Sequence, residues 1–398
     1  MRDAIYFELK KRIKVKSLSI IFTYVLLALK FFEYIIKKVT KKGSVTKVSM
    51  STNEAIEHIE KCYPNLNVEL QVVNSKTNPN IKCSVIVPIY NHEDVIKECL
   101  DSIFSQKCKY DFEVILVDDG SNNVTKEILK EYEKYNNCKI IHQKNTGIAA
   151  ARNTGINNAV GQYIMFVDCD DTIECDMLQK LLEEADLKKS DIVFGAYDLI
   201  KESDKKVISV KNYIYPKSFL NKRTDESNIM VLPGYPWGKI YKRSLFDNIR
   251  FLPGYWYEDS IIQFLIYRKC SSFSYVPEVF YHYKWYENNF SKTQNSRANI
   301  RGVQRYWMLL QMIKISKEIG LPEDETFYIT LIRHLGIYYY SNIKDFDSPT
   351  KEAMFVLACD LAEKFQIKNL KMNFVEKEIE KALLKRDYTM YELACKYQ

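Results

Sequence analysis

From Ile81 onward, short apolar runs alternate with segments whose apolar residues recur every three or four positions. Cys83–Asn91 (CSVIVPIYN) reads as a buried strand ending in a turn. Ile96, Cys99, Leu100, Ile103 and Phe104 then fall on one helical face. Glu113–Val117 is a second strand, followed by a helix carrying Ile128, Leu129 and Tyr132. Lys139–His142, an Ala-rich helix after Gly147, and strand Tyr163–Val167 continue the series. A helix with Leu178, Leu181, Leu182 and Ala185 leads to a last strand, Asp191–Phe194. Strands separated by helices of this length predict an α/β domain with a mostly parallel central sheet, flanking helices and right-handed crossovers. After Tyr197 the alternation decays into mixed strands, turns and one helix beginning at Glu258. Residues 298–398 read as almost wholly helical, with Ile300, Val303, Trp307 and Leu310 on one face.

Two segments depart from this pattern. Lys16–Ile36 is strongly apolar, with Lys30 and Glu33 inside it and basic clusters on both sides: Lys10, Lys11, Arg12, Lys14 and Lys16, then Lys37, Lys38, Lys41 and Lys42. Its uncharged core, Leu18–Leu29, is short of the roughly 20 residues a spanning helix needs. Each central charge costs on the order of 2.5–3.5 kcal/mol on insertion. No small-residue cleavage site follows, which argues against a removable signal peptide. The expectation is an interfacial amphipathic helix held to anionic lipid, with a helix docked on the protein's own surface and a true membrane span as the competing readings. Ser44–Asn80 is polar, with one short helical candidate at Asn53–Cys62. The expected organisation is therefore a basic apolar helix over 1–43, a linker over 44–80, the α/β domain over 81–297, and a helical appendage over 298–398.

Composition narrows the class. With 46% hydrophobic and 27% charged residues the 398-residue chain is globular. The net charge of +7 is modest, and no basic stripe interleaved with aromatics appears in the α/β domain, which argues against nucleic-acid binding. Ten cysteines are scattered without a CxxC pair. That pattern fits free, largely buried thiols in a reducing compartment, and so a cytosolic domain.

The chemistry gathers at strand ends. FVDCDD (Phe166–Asp171) delivers Asp168, Asp170 and Asp171 to one point, and EVILVDDGS places Asp118 and Asp119 at another. Open α/β sheets bind ligands outside the carboxyl ends of their strands. Carboxylates converging there repel one another unless a cation lies between them, and hard divalent metals take oxygen ligands. Metal plus phosphate is the expectation. Pro88 and Tyr90 end the first strand, where a tyrosine face suits a base, although a Pro-Tyr turn is also ordinary structure. Asp119 suits the N–H groups of a base or ribose hydroxyls, or a plain Asp-Gly-Ser turn. Asn145 and Gly147 precede the helix with Arg152, which suits close approach of a nucleotide or close packing of helix on sheet.

Taken together, SVIVPIYN, VDDGS, the Asn145–Gly155 segment and FVDCDD resemble the nucleotide-sugar-binding half of the family 2 glycosyltransferases, which have the GT-A (Rossmann-like) fold. The resemblance is strong over about Lys82–Leu182 and continues in PWGKIYKRSLF, YEDSIIQF and YHYKW with Ser291 beyond. It implies an enzyme of bacterial capsule, exopolysaccharide or cell-wall glycan synthesis. Asp168 would face the ribose of a nucleotide-sugar, Asp170 would bind Mn²⁺ or Mg²⁺ on the diphosphate, and Asp171 would be a supporting or sugar contact. Pro88, Tyr90 and Asp119 would hold uracil and ribose, with Asn145 and Arg152 beside them. Asp259 would be the general base and Glu258 its neighbour. His282 would be a further metal or diphosphate contact, or only a strand residue. Trp237 and Lys239 would line the acceptor side. The implied reaction is inverting transfer from a UDP-sugar to a hydroxyl of a glycan, or of a polyprenyl-diphosphate-linked glycan, at the cytoplasmic face of the cell membrane. The C-terminal helices would form a homodimer interface, cover the acceptor cleft or dock a partner. A sugar-phosphate nucleotidyltransferase is disfavoured because IVPIYN has no Gly-rich phosphate loop. A non-catalytic, membrane-bound partner of another transferase would not need Asp168, Asp170 and Asp259 together.

Overall fold

β1 (Cys83–Ile89) is buried along its entire length, as its unbroken apolar run requires of a strand covered on both faces. The computed structural model describes residues 25, 29, 32–40, 48–73, 75–201, 203, 206–211, 234–286 and 300–396. Most of the apolar basic segment before residue 32, and Ser291, lie outside the described residues.

β1 pairs in parallel with β2 (Phe112–Asp118) on one side and with β4 (Tyr163–Phe166) on the other, and β2 pairs in parallel with β3 (Cys138–His142). The chain thus builds outward from β1 to β3 and then returns to the far side of β1. That reversal leaves a crevice at the carboxyl ends of β1 and β4, where Tyr90 and Asp168 stand. Beyond β4 lie β8 (Lys239–Lys242), β6 (Ile192–Lys201) and β9 (Phe273–Trp285), with β5 (Thr172–Ile173) on β9 and β7 (Lys206–Lys211) on β6. β8 is antiparallel to both β4 and β6. The final strand of the predicted parallel series, β6, therefore runs in the expected direction but is separated from β4 by a strand arriving from much later in the chain. β6 and β9 are parallel, and β5 and β7 are antiparallel to their neighbours.

Helix Ile148–Asn158 lies close on this sheet, and Gly155 faces Ile86 of β1. A Cβ there would come within 2.3 Å of the Ile86 side chain. The helix expected to begin at Glu258 begins two residues later. Trp256–Asp259 form a turn, Ser260 opens the helix, and Ile262–Ile266 have π geometry.

The chain divides into two units. One comprises Leu66–Lys292 with Leu310–Pro322, and the other comprises the residues up to Asn65 with Thr293–Leu309 and Glu323–Gln398. The expected linker is accordingly split: 66–80 go with the sheet, whereas Thr52–Cys62 is a well-formed helix of the second unit. A capping box of Ser51 and Glu54 starts that helix. Its Ala55 and Ile59 are buried, and it packs on helix Ser348–Lys364, with His58 bonded to Thr350 and Thr52 to Asp360. The core of the helical unit is rich in tyrosine. Tyr328, Tyr339 and Tyr391 are buried with their hydroxyls donating to Ala362, Met354 and Leu335 carbonyls at 3.3, 3.0 and 2.6 Å. A buried phenol is tolerated because its polar end is bonded. All ten cysteines are free thiols. No helix among the described residues is long and apolar enough to cross a membrane.

Gly155→Ala is expected to destabilise the protein by about 1–3 kcal/mol through overpacking against Ile86. In urea denaturation, Ile86→Ala should recover part of that loss in the double variant. Additive losses would show that the two positions do not press on each other.

Candidate active site

β2 ends in Asp118, Asp119 follows directly, and the two carboxylates serve different neighbours. Asp118 is buried, accepts a 2.8 Å hydrogen bond from the Ser121 amide, and lies 2.7 Å from His142 Nδ1. Burial opposes its charge, but the bonds from Ser121 and His142 outweigh it and hold its pKa below the ordinary value. Asp119 accepts from Gln143 Nε2 at 2.7 Å and from the Thr146 and Gly147 amides at 3.0 and 2.8 Å. It therefore clamps the loop that starts helix Ile148–Asn158. Gly120, at φ +78°, permits this clamp: a Cβ would stand 2.7 Å from the Asn145 amide nitrogen. Asn145 is thus drawn against the VDDGS turn.

One turn into that helix, Arg152 is almost completely buried. Its Nη2 donates to Asp168 Oδ1 at 2.9 Å and its Nη1 to Glu258 Oε1 at 2.7 Å. The guanidinium carbon lies 5.4 Å from the Phe251 ring centre, and its buried Nε has no hydrogen-bond partner among the described residues. Burial alone would lower the Arg152 pKa, yet the Asp168 and Glu258 charges reverse the sign and raise it. Breaking one arm of such a pair costs about 3–5 kcal/mol, because a buried charge is left behind. For Glu258, burial raises the pKa, Arg152 pulls it back and adjacent Asp259 adds to the rise; the net direction is upward.

The three carboxylates of FVDCDD have different surroundings. Asp168 is held by Arg152. Asp170 is half-buried, and burial first, then the Asp168 charge, push its pKa up. Asp171 is fully buried: its Oδ2 accepts from the Tyr281 hydroxyl at 2.7 Å and its Oδ1 from the Lys284 amide at 2.8 Å. Burial, then the Asp170 and Asp168 charges, raise its pKa well above the carboxylate range. Tyr281 OH also accepts from the Asp168 amide at 3.2 Å. One hydroxyl therefore ties both ends of the acidic loop to β9.

Pro88 is buried within β1, opposite Val117, while Tyr90 is half exposed at the mouth. Trp237 is buried in a column of rings, stacked at 3.7 Å on Tyr235 and at 4.5 Å on Tyr281. Lys239 is also buried, with Nζ 4.1 Å from the Tyr235 ring centre and donating to the Tyr235 carbonyl. Burial drives its pKa well down, opposed by the Asp259 charge. His282 is placed between two carboxylates, Asp198 at 2.7 Å and Glu174 at 3.0 Å. The Asp198 hydrogen bond is the largest cause of its raised pKa.

No group of three or more His, Cys, Asp or Glu among the described residues is arranged to hold an ion. The donor set at the crevice nevertheless fits a divalent metal. Mg²⁺-type ions are held by one or two carboxylates with phosphate oxygens completing the shell. Asp168 and Asp170 supply hard oxygens whose mutual repulsion a cation would relieve.

Sequence reasoning did not single out Tyr281, Lys284, Gln143, Thr146, Glu174 or Asp198. The alternation of YHYKW marks Tyr281 and Tyr283 as sharing one strand face, but nothing local reveals that this face meets FVDCDD.

Tyr281→Phe keeps the ring stack and leaves Asp171 with a lost buried bond. We expect a loss of about 1–3 kcal/mol in stability, read by thermal unfolding. In Arg152→Lys a single ammonium replaces a fork that reaches two carboxylates. Its midpoint should fall further than that of Tyr281→Phe, and an unchanged midpoint would contradict the bridge.

Comparison with known proteins places the chain. The family model for glycosyl transferase family 2 matches residues 84–250. The chain is 34% identical over 232 residues to the uncharacterized glycosyltransferase EpsJ of Bacillus subtilis, a match covering 56% of this chain and 67% of that one. It is 32% identical over 267 residues to glycosyltransferase GlyA of Streptococcus pneumoniae, covering 65% of this chain. The match takes in only 36% of GlyA, so the chain spans about a third of that relative. Among solved structures, S. aureus TarS 1–349 in complex with UDP-GlcNAc is similar with a TM-score of 0.61 at 22% identity, covering 79% of this chain and 91% of that one.

Proposed function

We propose, for a chain that belongs to the family 2 glycosyltransferases and has their GT-A fold, inverting, metal-dependent transfer of a sugar from a UDP-linked donor to a hydroxyl acceptor. The observation that carries this reading is Arg152, which joins Asp168 of the acidic loop to Glu258 of YEDSIIQF. Two motifs ninety residues apart in sequence share one buried cation. The choice of a uridine donor is supported by TarS, whose complex holds UDP-GlcNAc.

In this reading the exposed Tyr90 ring stacks on the base above Pro88, and Asp119, with Asn145 beside it, shapes the wall around base and ribose. Asp168 faces the ribose, and with Asp170 it would hold Mn²⁺ or Mg²⁺ against the diphosphate. A divalent cation there supplies Lewis-acid neutralisation of charge on the leaving group. Asp171 acts from beneath, positioning the loop. Glu258 is engaged by Arg152, and Asp259 takes the proton of the acceptor hydroxyl. A base on the face opposite the leaving diphosphate makes a single displacement, which inverts the anomeric centre. Trp237 and Lys239 brace the acceptor side through Tyr235. His282, held by Asp198 and Glu174, orients the strand next to the acidic loop rather than binding the metal. The acceptor is a surface glycan or one carried on a polyprenyl diphosphate, and the work is done at the cytoplasmic face of the membrane.

Release of UDP from UDP-sugars is expected with Mn²⁺ and to be lost with a chelator. Asp170→Ala and Asp259→Asn should each lower it by roughly 10²-fold or more. Wild-type release by Asp170→Ala would remove the metal role. Wild-type transfer by Asp259→Asn would move the base elsewhere.

A further inference from the structure

The described residues before 41, Val25, Leu29 and helix 32–40, present apolar side chains to solvent. Val25, Leu29, Phe32, Ile36 and Val39 are between 48% and 67% exposed. Their spacing of four, three, four and three positions sets them on one side of a helix. The other edge of helix 32–40 is occupied. Tyr34 is buried, with its ring edge-on to Phe374 at 5.6 Å and its hydroxyl donating to Glu378 at 2.6 Å. Lys38 pairs with the same carboxylate. These contacts fix the helix to helix Phe374–Leu384, so the apolar stripe cannot roll inward without breaking them. Phe374, itself 46% exposed, extends apolar surface beside Tyr34.

Charge selects the occupant. Residues 1–43 contain eleven Lys and Arg and three Asp and Glu, a net +8, against +7 for the whole chain. Every other part of the protein therefore sums to −1. A second copy seated on the same stripe would bring two such segments together, whereas an anionic surface would be drawn to them.

We propose that this stripe enters the headgroup–acyl boundary of an anionic bilayer, the helix lying in the membrane plane while Tyr34 and Glu378 clasp it to the helical unit. The inference rests on the membrane location proposed above and on the anionic-lipid helix expected from sequence, and adds the exposed face and the attachment to the helical unit. Buried apolar area and basic residues at the surface are the two contributions to such binding.

The test is co-sedimentation of the full chain with vesicles of phosphatidylglycerol and phosphatidylcholine, or of phosphatidylcholine alone. Binding should be at least about tenfold stronger with the anionic lipid and weaken with salt. Leu29→Glu/Phe32→Glu/Ile36→Glu should lower it by about tenfold or more, while far-UV circular dichroism and UDP-sugar hydrolysis persist. Lys41→Glu/Lys42→Glu, which leaves the stripe intact, should weaken only the anionic-lipid binding. Equal binding to both vesicles, or by the triple variant, would overturn the proposal. So would a dimer that the triple variant converts to a monomer, which assigns the stripe to a second copy. Charge-dependent binding by a wild-type chain without hydrolysis would sink the transferase reading and support the lipid face.

Discussion

Arg152 is a cation buried between two carboxylates that the chain supplies from opposite directions. Asp168 comes from the end of β4, and Glu258 from the turn before a short helix. A guanidinium cannot be left in a low-dielectric site without anions, and neither carboxylate can be buried there without a cation. The arrangement therefore holds only when both segments are in place. Helix Ile148–Asn158 brings Arg152 to this point, and the helix sits close enough because Gly155 meets Ile86. The loop starting the helix is held in turn by Asp119. A strand end, a loop, a helix and a later turn thus depend on one planar fork.

The same constraint distributes the acidic loop's charges. Three aspartates within four residues cannot all ionise without compensation. Asp168 has Arg152. Asp171 has the Tyr281 hydroxyl and the Lys284 amide and is withdrawn from the crevice. Asp170 keeps a half-buried carboxylate with a raised pKa, the state a divalent cation would relieve. Tyr281 links this loop to the aromatic column of Trp237 and Tyr235. The rigidity of stacked rings is passed to the backbone of Asp168 by a single hydroxyl. Such support from behind is what keeps a charged constellation near its working geometry.

Much of the parallel half was legible because its signals are local. β1, β2, β3 and β4 are short apolar runs separated by helices whose faces recur at helical spacing, and right-handed crossovers leave few ways to order them. The later strands were less legible. β8 inserts between β4 and β6 in antiparallel sense, and β9 lies beside β6, by pairings made across long separations in the chain. The helix at Thr52–Cys62 was expected as a short helical candidate at Asn53–Cys62, but its docking on Ser348–Lys364 concerns residues some three hundred positions away.

Sequence by itself determined the kind of chemistry available: clustered carboxylates at strand ends, a carboxylate pair in YEDSIIQF, and a basic apolar N-terminus. Those follow from residue type and short-range spacing. Only the tertiary structure decided how each charge is used. It put Arg152 between Asp168 and Glu258, Asp119 on the loop amides, Asp171 under Tyr281, Lys239 in a buried aromatic wall, and His282 between Asp198 and Glu174. The reason is physical. Whether a carboxylate meets a cation, an amide or water depends on which distant segment packs over it, and that packing is a property of the fold rather than of any local run of residues.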